Sequence, residues 1–141
     1  MSQKILFVDL DQTLLCDDKS ISLNNRQAIQ KMLDEGHYIA LATGRSVESG
    51  RRVARELGLS RPGCYMIAFN GAVLYDCAAD RTLMIRSLPV DVVQELFERA
   101  ARAGIYAQTY NSTDVITVKH TKELDYYRSR THLNYKLVPN V

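Results

Sequence analysis

The sequence predicts a doubly wound α/β domain followed by a smaller α+β domain. Three observations carry that prediction. Short apolar runs alternate with amphipathic helical stretches through the first half of the chain. Each of the first two helical stretches has a serine before it and a glycine after it. Polar side chains recur where the apolar runs end, the edge at which open parallel sheets bind ligands.

Residues 4–10 contain Ile5-Leu6-Phe7-Val8, a continuous apolar run that ends in a carboxylate. Such a run is expected to form a central parallel strand buried on both faces. Ser22 is placed to cap a helix over residues 23–35, whose stripe is Ala28, Ile29, Met32 and Leu33. Gly36 then stands where a left-handed residue closes a helix. A second buried strand is expected over residues 37–42, followed by Thr43-Gly44-Arg45. Ser46 caps a helix over residues 47–57, Gly58 stops it, and residues 65–69 form the third strand. Right-handed crossovers bring the strand C-termini to one edge, and with them Asp9, Asp11, Thr43 and Asn70.

After Gly71 the texture changes. Residues 73–76 and 82–88 read as short strands joined by a polar stretch around Asp80. Pro89 opens a helix with Val92, Val93, Leu96, Phe97 and Ala100 on one face, and Gly104 closes it. Residues 105–110 and 115–119 form an expected hairpin around Asn111-Ser112-Thr113. A polar helix over residues 122–130 leads to an expected frayed end. The boundary is expected near Asp80, giving a first domain of residues 1–79 and an unfinished α+β domain of residues 80–141.

The 141 residues are 46% hydrophobic and 24% charged, the balance of a soluble globular chain. No apolar run reaches the ~20 residues that span a bilayer. The acids at Asp9 and Asp11 exclude a secretory signal from the first apolar stretch. A net charge of +2, with Arg51, Arg52 and Arg55 as the one tight basic cluster, argues against nucleic acid as a partner. Cys16, Cys64 and Cys77 follow no metal or redox spacing and fit reduced, mostly buried thiols in a cytoplasmic protein. His37, His120 and His132 form no ligand spacing, and most of the tyrosines after Gly104 are expected to pack.

Asp9-Leu10-Asp11-Gln12-Thr13 is the central signal. Two carboxylates at i and i+2 repel each other, and a divalent cation relieves that repulsion. Mg²⁺ suits them because it takes hard oxygen ligands and keeps positions for water or phosphate. One carboxylate can then attack phosphorus while the other handles the leaving-group proton. The competing reading is a pair of acids that merely cap a loop. Thr43-Gly44 combines a hydroxyl, backbone N–H groups and a helix N-terminus, a cradle for phosphate; an ordinary helix cap at Thr43 is the plainer alternative. Asn70-Gly71 suits a sharp left-handed exit from the third strand.

Asp9-x-Asp11-x-Thr13 after an apolar strand resembles the first motif of the haloacid dehalogenase (HAD) superfamily. Thr43-Gly44-Arg45 resembles its second motif, and Phe69-Asn70-Gly71-Ala72 resembles the Asn-Gly-Ala element of the Cof-like branch, subclass IIB. The resemblance implies a HAD-like Rossmannoid core, here partial, followed by an incomplete C2-type cap. It implies Asp9 as nucleophile and metal ligand, and Asp11 as acid/base with its backbone carbonyl on Mg²⁺. Thr43 and Gly44 would hold the phosphoryl group, Arg45 would face the site entrance or form a surface ion pair, and Asn70 and Gly71 would line the entrance. One departure stands out, Gln12 where the branch usually has glycine. The family's later lysine and acidic loop have no counterpart here; Lys119, Lys122 and Lys136 fall in cap elements. The chain is therefore expected to be part of a longer relative, with an apolar sheet edge through which it can self-associate.

The implied function is Mg²⁺-dependent hydrolysis of small phosphorylated metabolites, sugar phosphates among them, through an aspartyl-phosphate. Two alternatives stay open: an inactive module that binds a phosphorylated ligand or a partner chain, and a receiver-like domain phosphorylated on Asp. A receiver carries its acceptor Asp after the third strand, where this chain has Phe69-Asn70. Gly-x-Gly-x-x-Gly is absent after the first strand, which ranks a dinucleotide fold lower.

Overall fold

The computed structural model describes every residue except Met1 and Ser112. It resolves into two compact units, residues 1–86 and 87–141. The expected boundary near Asp80 falls inside a hairpin of the first unit. β4 (Val73–Asp76) and β5 (Arg81–Ile85) are antiparallel neighbours in the first sheet.

That first sheet runs β1-β2-β3-β4-β5. β1 (Ile5–Asp9), β2 (Tyr38–Ala42) and β3 (Cys64–Ala68) are parallel. The mixed α/β architecture with a parallel core is the predicted class. Its core gathers Leu10, Ile39, Leu41, Leu57, Leu59 and Met66, all essentially removed from solvent. Burial of each such side chain contributes about 1.5–3 kcal/mol.

Helix α1 (Leu23–Asp34) begins where Ser22 Oγ accepts the Asn25 N–H at 3.2 Å. It ends before Gly36, whose φ is +81°. Helix α2 (Val47–Glu56) is capped by Ser46, whose Oγ accepts the Ser49 N–H at 3.3 Å, and Gly58 follows it at φ +69°. Both helix limits follow the sequence expectation closely. Within α2, a Cβ on Gly50 would lie 2.2 Å from Met66 Sδ, so glycine is what lets this helix approach β3.

The expectation for β1 needs correcting. It is not a central strand buried on both faces. It pairs only with β2 and stands at the sheet edge, with Ile5, Leu6 and Phe7 46%, 40% and 59% exposed. Those apolar side chains form the open sheet edge expected from the sequence.

The second unit contains α3 (Val90–Arg102), β6 (Thr109–Tyr110), β7 (Asp114–Thr117), α4 (Lys122–Thr131) and β8 (Asn134–Leu137). Pro89 precedes α3, and Gly104 closes it at φ +67°. The β6–β7 pair is antiparallel as expected but shorter; Ser112 in its connection lies outside the described residues. The expected frayed end is instead a strand. β8 pairs parallel to β7 after the α4 crossover. His132 turns the chain out of α4 at φ +56°, and Leu133 is buried against Val115 and Leu124. Tyr106, Tyr110, Tyr127 and Tyr135 pack around that small core, whereas Tyr126 is exposed.

Candidate active site

The site begins with the alternation of β1. Leu10 is fully buried between two acids, so Asp9 and Asp11 are both left on the solvent side of the strand exit. The turn after it is tight. The Asp9 carbonyl accepts from the Leu14 N–H at 3.2 Å and the Leu10 carbonyl from the Leu15 N–H at 2.8 Å. Leu14 and Leu15 are themselves buried and anchor the turn. Gln12 takes φ +59° there. The turn thus keeps the left-handed residue that glycine would supply more easily, at a cost of about 1–2 kcal/mol.

In the parallel ladder Asp9 is the partner of Ala42, which immediately precedes Thr43. Thr43 is buried; its N–H donates to the Ile67 carbonyl at 2.9 Å, and its Oγ1 accepts the Arg45 N–H at 3.1 Å. The plainer alternative of a helix cap at Thr43 is excluded, because Ser46 caps α2. The Asn70 N–H donates to the Thr43 carbonyl at 3.2 Å and the Phe69 N–H to the Arg45 carbonyl at 3.0 Å. Asn70 is left-handed at φ +54°. A Cβ on Gly44 would meet Asn70 Oδ1 at 2.9 Å, so the two loops interlock at that point. Gly71 follows at φ +99° with open space around its Cα, and its contribution is the turn itself.

Arg45 closes the arrangement onto the acids. Its Nε donates to Asp11 Oδ2 at 2.8 Å and its Nη2 to Asp11 Oδ1 at 2.6 Å, a two-pronged pair. The ion pair expected for Arg45 therefore exists, and its partner is the second acid of the first motif. Lys19 Nζ also reaches Asp11 Oδ1, at 2.9 Å. The Arg45 hydrogen bonds, opposed by partial desolvation and aided by Lys19, hold the Asp11 carboxyl at about 2. The guanidinium is raised in turn, chiefly by the Asp11 hydrogen bonds, with Asp9 adding charge. Sequence reasoning missed Lys19. Asp17-Asp18-Lys19-Ser20 reads as a plain polar turn, and no spacing rule ties its lysine to Asp11.

The donor set available to a cation is two carboxylates on a solvent-facing lip, hard oxygen chemistry that fits Mg²⁺. Among the described residues no group of three or more His, Cys, Asp or Glu side chains stands ready to hold a metal. Mg²⁺ tolerates such a sparse set, since water and substrate phosphate complete its shell.

The acids, the hydroxyl loop and the Asn-Gly turn all lie within residues 6–140, which fit the model for haloacid dehalogenase-like hydrolases. The chain belongs to the haloacid dehalogenase-like hydrolases. Among relatives of this HAD family, the Bacillus subtilis 5-amino-6-(5-phospho-D-ribitylamino)uracil phosphatase YitU is 34% identical over 113 residues, covering 79% of this chain and 38% of that protein. The Escherichia coli pyridoxal phosphate phosphatase YbhA is 27% identical, covering 78% and 39%. A solved haloacid dehalogenase-like hydrolase from Bacteroides thetaiotaomicron superposes with a TM-score of 0.84 at 23% identity, covering 99% of this chain and 53% of that one. A HAD subclass IIB sugar phosphatase superposes at 0.76 with 15% identity, covering 96% and 53%. These structures share the fold of this chain. The chain spans 38% to 44% of the first curated relatives' lengths and about half of the solved chains.

Proposed function

We propose that this chain carries the phosphoryl-transfer residues of a Mg²⁺-dependent phosphomonoester hydrolase for small phosphorylated metabolites, sugar phosphates among them. One observation supports it above the rest: hydrogen bonds and ladder register draw Asp9, Asp11, the Thr43 loop and the Asn70 turn to one end of a parallel sheet. Relatives named for a phosphoribityl compound and for pyridoxal phosphate point to the same substrate class.

In this reading Asp9 and the Asp11 backbone carbonyl hold Mg²⁺, with the Asp11 side chain close by. When bound, Mg²⁺ offsets the charge of the carboxylates and of the phosphoryl oxygens. An Asp9 carboxylate oxygen forms the bond to phosphorus as the ester P–O bond breaks. The departing alkoxide takes a proton from the Asp11 carboxyl. Water then attacks phosphorus, giving its proton to Asp11, and the Asp9–phosphorus bond breaks to release phosphate. The Thr43 hydroxyl and the backbone N–H of Gly44 orient the phosphoryl oxygens. An Asp11 paired with Arg45 is ionised, so the acid step requires that pair to open.

Phosphate release from p-nitrophenyl phosphate, with and without Mg²⁺, tests this reading in Asp9→Asn. The substitution is expected to lower turnover at least about a thousandfold. Beryllium fluoride should give a ¹⁹F signal with the unaltered chain and none with Asp9→Asn. Undiminished turnover in the variant rules out Asp9 as nucleophile.

A second reading is favoured by the sparse acidic set. A module with no group of three metal-ligating side chains among the described residues, and with Asp11 already committed to Arg45, can retain a phosphorylated ligand without cleaving it. Phosphate binding without release in the same assay selects it. A receiver-like role loses support, because β3 runs into Phe69 and Asn70 and offers no acceptor Asp.

A further inference from the structure

Lys19 stands at a place that stability does not explain. Arg45 already satisfies both oxygens of Asp11, and Lys19 adds a third donor to the oxygen that Arg45 Nη2 occupies. Two cations therefore share one oxygen. An ion pair as exposed as this one contributes little to folding.

The backbone that delivers Lys19 is strained as well as pinned. Lys19 sits at φ +68°, a left-handed conformation that a lysine adopts at a cost. Its N–H donates to the Cys16 carbonyl, and the Cys16 N–H donates to the Ser20 carbonyl, both at 2.9 Å. Asp18 Oδ1 accepts from both the Ser20 N–H and hydroxyl. Bridges from Leu15 to Asp11 and to Ile21 tie the hairpin back to the acid turn, and Leu15 and Ile21 are buried. Strain held this firmly beside a site motivates a functional reading.

Charge counting supplies the function. The charges of Asp9 and Asp11 are matched by those of Arg45 and Lys19. A divalent cation held by Asp9 and the Asp11 backbone carbonyl would add two positive charges, and a phosphomonoester near its dianionic form restores the balance. We propose that Lys19 is a substrate-binding residue: its ammonium, held at the lip of the site by Asp11, turns to the phosphate of a substrate bound together with a divalent cation. This rests on the phosphatase reading above and adds to it a cation from the hairpin that no motif names.

The test measures binding of inorganic phosphate with Mg²⁺ present, and of Mg²⁺ alone, by calorimetry on the full chain and its Lys19→Ala and Lys19→Arg variants. Alanine keeps the Cβ, so the backbone cost at φ +68° is unchanged, and circular dichroism checks that the variant is folded. Lys19→Ala is expected to weaken phosphate binding about tenfold, with Lys19→Arg restoring most of it. Mg²⁺ alone should bind Lys19→Ala more tightly, because a competing cation is gone. Equal phosphate affinity in Lys19→Ala and the unaltered chain overturns the role of Lys19 and leaves the phosphatase reading standing. Failure of the unaltered chain to bind either ion overturns both.

Discussion

Asn70 Oδ1 occupies the space beside Gly44, 2.9 Å from where a Cβ would sit, so the second motif and the strand-exit turn interlock through one missing methyl group. Asn70 is held there by its own N–H bond to the Thr43 carbonyl. Gly44→Ala must therefore push the amide aside. We expect it to cost about 1–3 kcal/mol. In an Asn70→Ala background the same substitution should cost clearly less, and urea unfolding of the four proteins measures the coupling. Additive losses would show that the two loops do not interlock.

Arg45→Ala should free the Asp11 carboxyl. Its titration, followed by carboxyl ¹³C NMR without metal, is expected to move from about 2 toward the ordinary value near 3.9. The sign for stability follows from a depressed folded value. The contribution is complete above about 4, where the unfolded carboxyl is also ionised, and is lost as pH falls toward 2. The unaltered chain should therefore lose stability over that interval, and Arg45→Ala should lose less. The effect is small, because Asp11 is partly exposed and solvent screens the pair.

Gln12→Gly replaces a side chain at φ +59° with the residue the Cof-like branch usually carries. Relief of left-handed strain, about 1–2 kcal/mol, outweighs the extra chain entropy of about 0.5–1 kcal/mol. The midpoint of urea unfolding should stay level or rise. A clear fall would mean that the Gln12 side chain makes a contribution of its own.

Gly50→Ala is the severe substitution. The new methyl would stand 2.2 Å from Met66 Sδ, in the packed seam between α2 and β3. Helix propensity favours alanine by about 1 kcal/mol, and overpacking should reverse that gain. Urea unfolding should show net destabilisation, reduced when Met66 is shortened to alanine in the same protein.

Much of this was legible in the sequence, for local reasons. Ser22 with Gly36, and Ser46 with Gly58, bracket their helices through contacts only a few residues long. The acids, the hydroxyl loop and the Asn-Gly turn were legible as strand exits. What escaped depends on distant partners. Arg45 and Asp11 are 34 residues apart, and nothing in either segment specifies the fork between them. Lys19 meets Asp11 through a hairpin whose bridges are invisible to periodicity. β5 was placed in the wrong unit because its residues are exposed and its allegiance rests on pairing with β4. β8 was missed because Asn134–Leu137 is short and mostly polar, and it becomes a strand only beside β7.

The Asp9–Ala42 pairing has one more consequence. Side chains along a strand alternate faces, so shifting β1 by a single position against β2 would sink Asp9 into the interior and bring Leu10 out to water. The burial of Leu10 is thus an alignment key: the cost of exposing it fixes the carboxylate at its post. A polar substitution at Leu10, a buried apolar residue, would put the chemistry itself at risk.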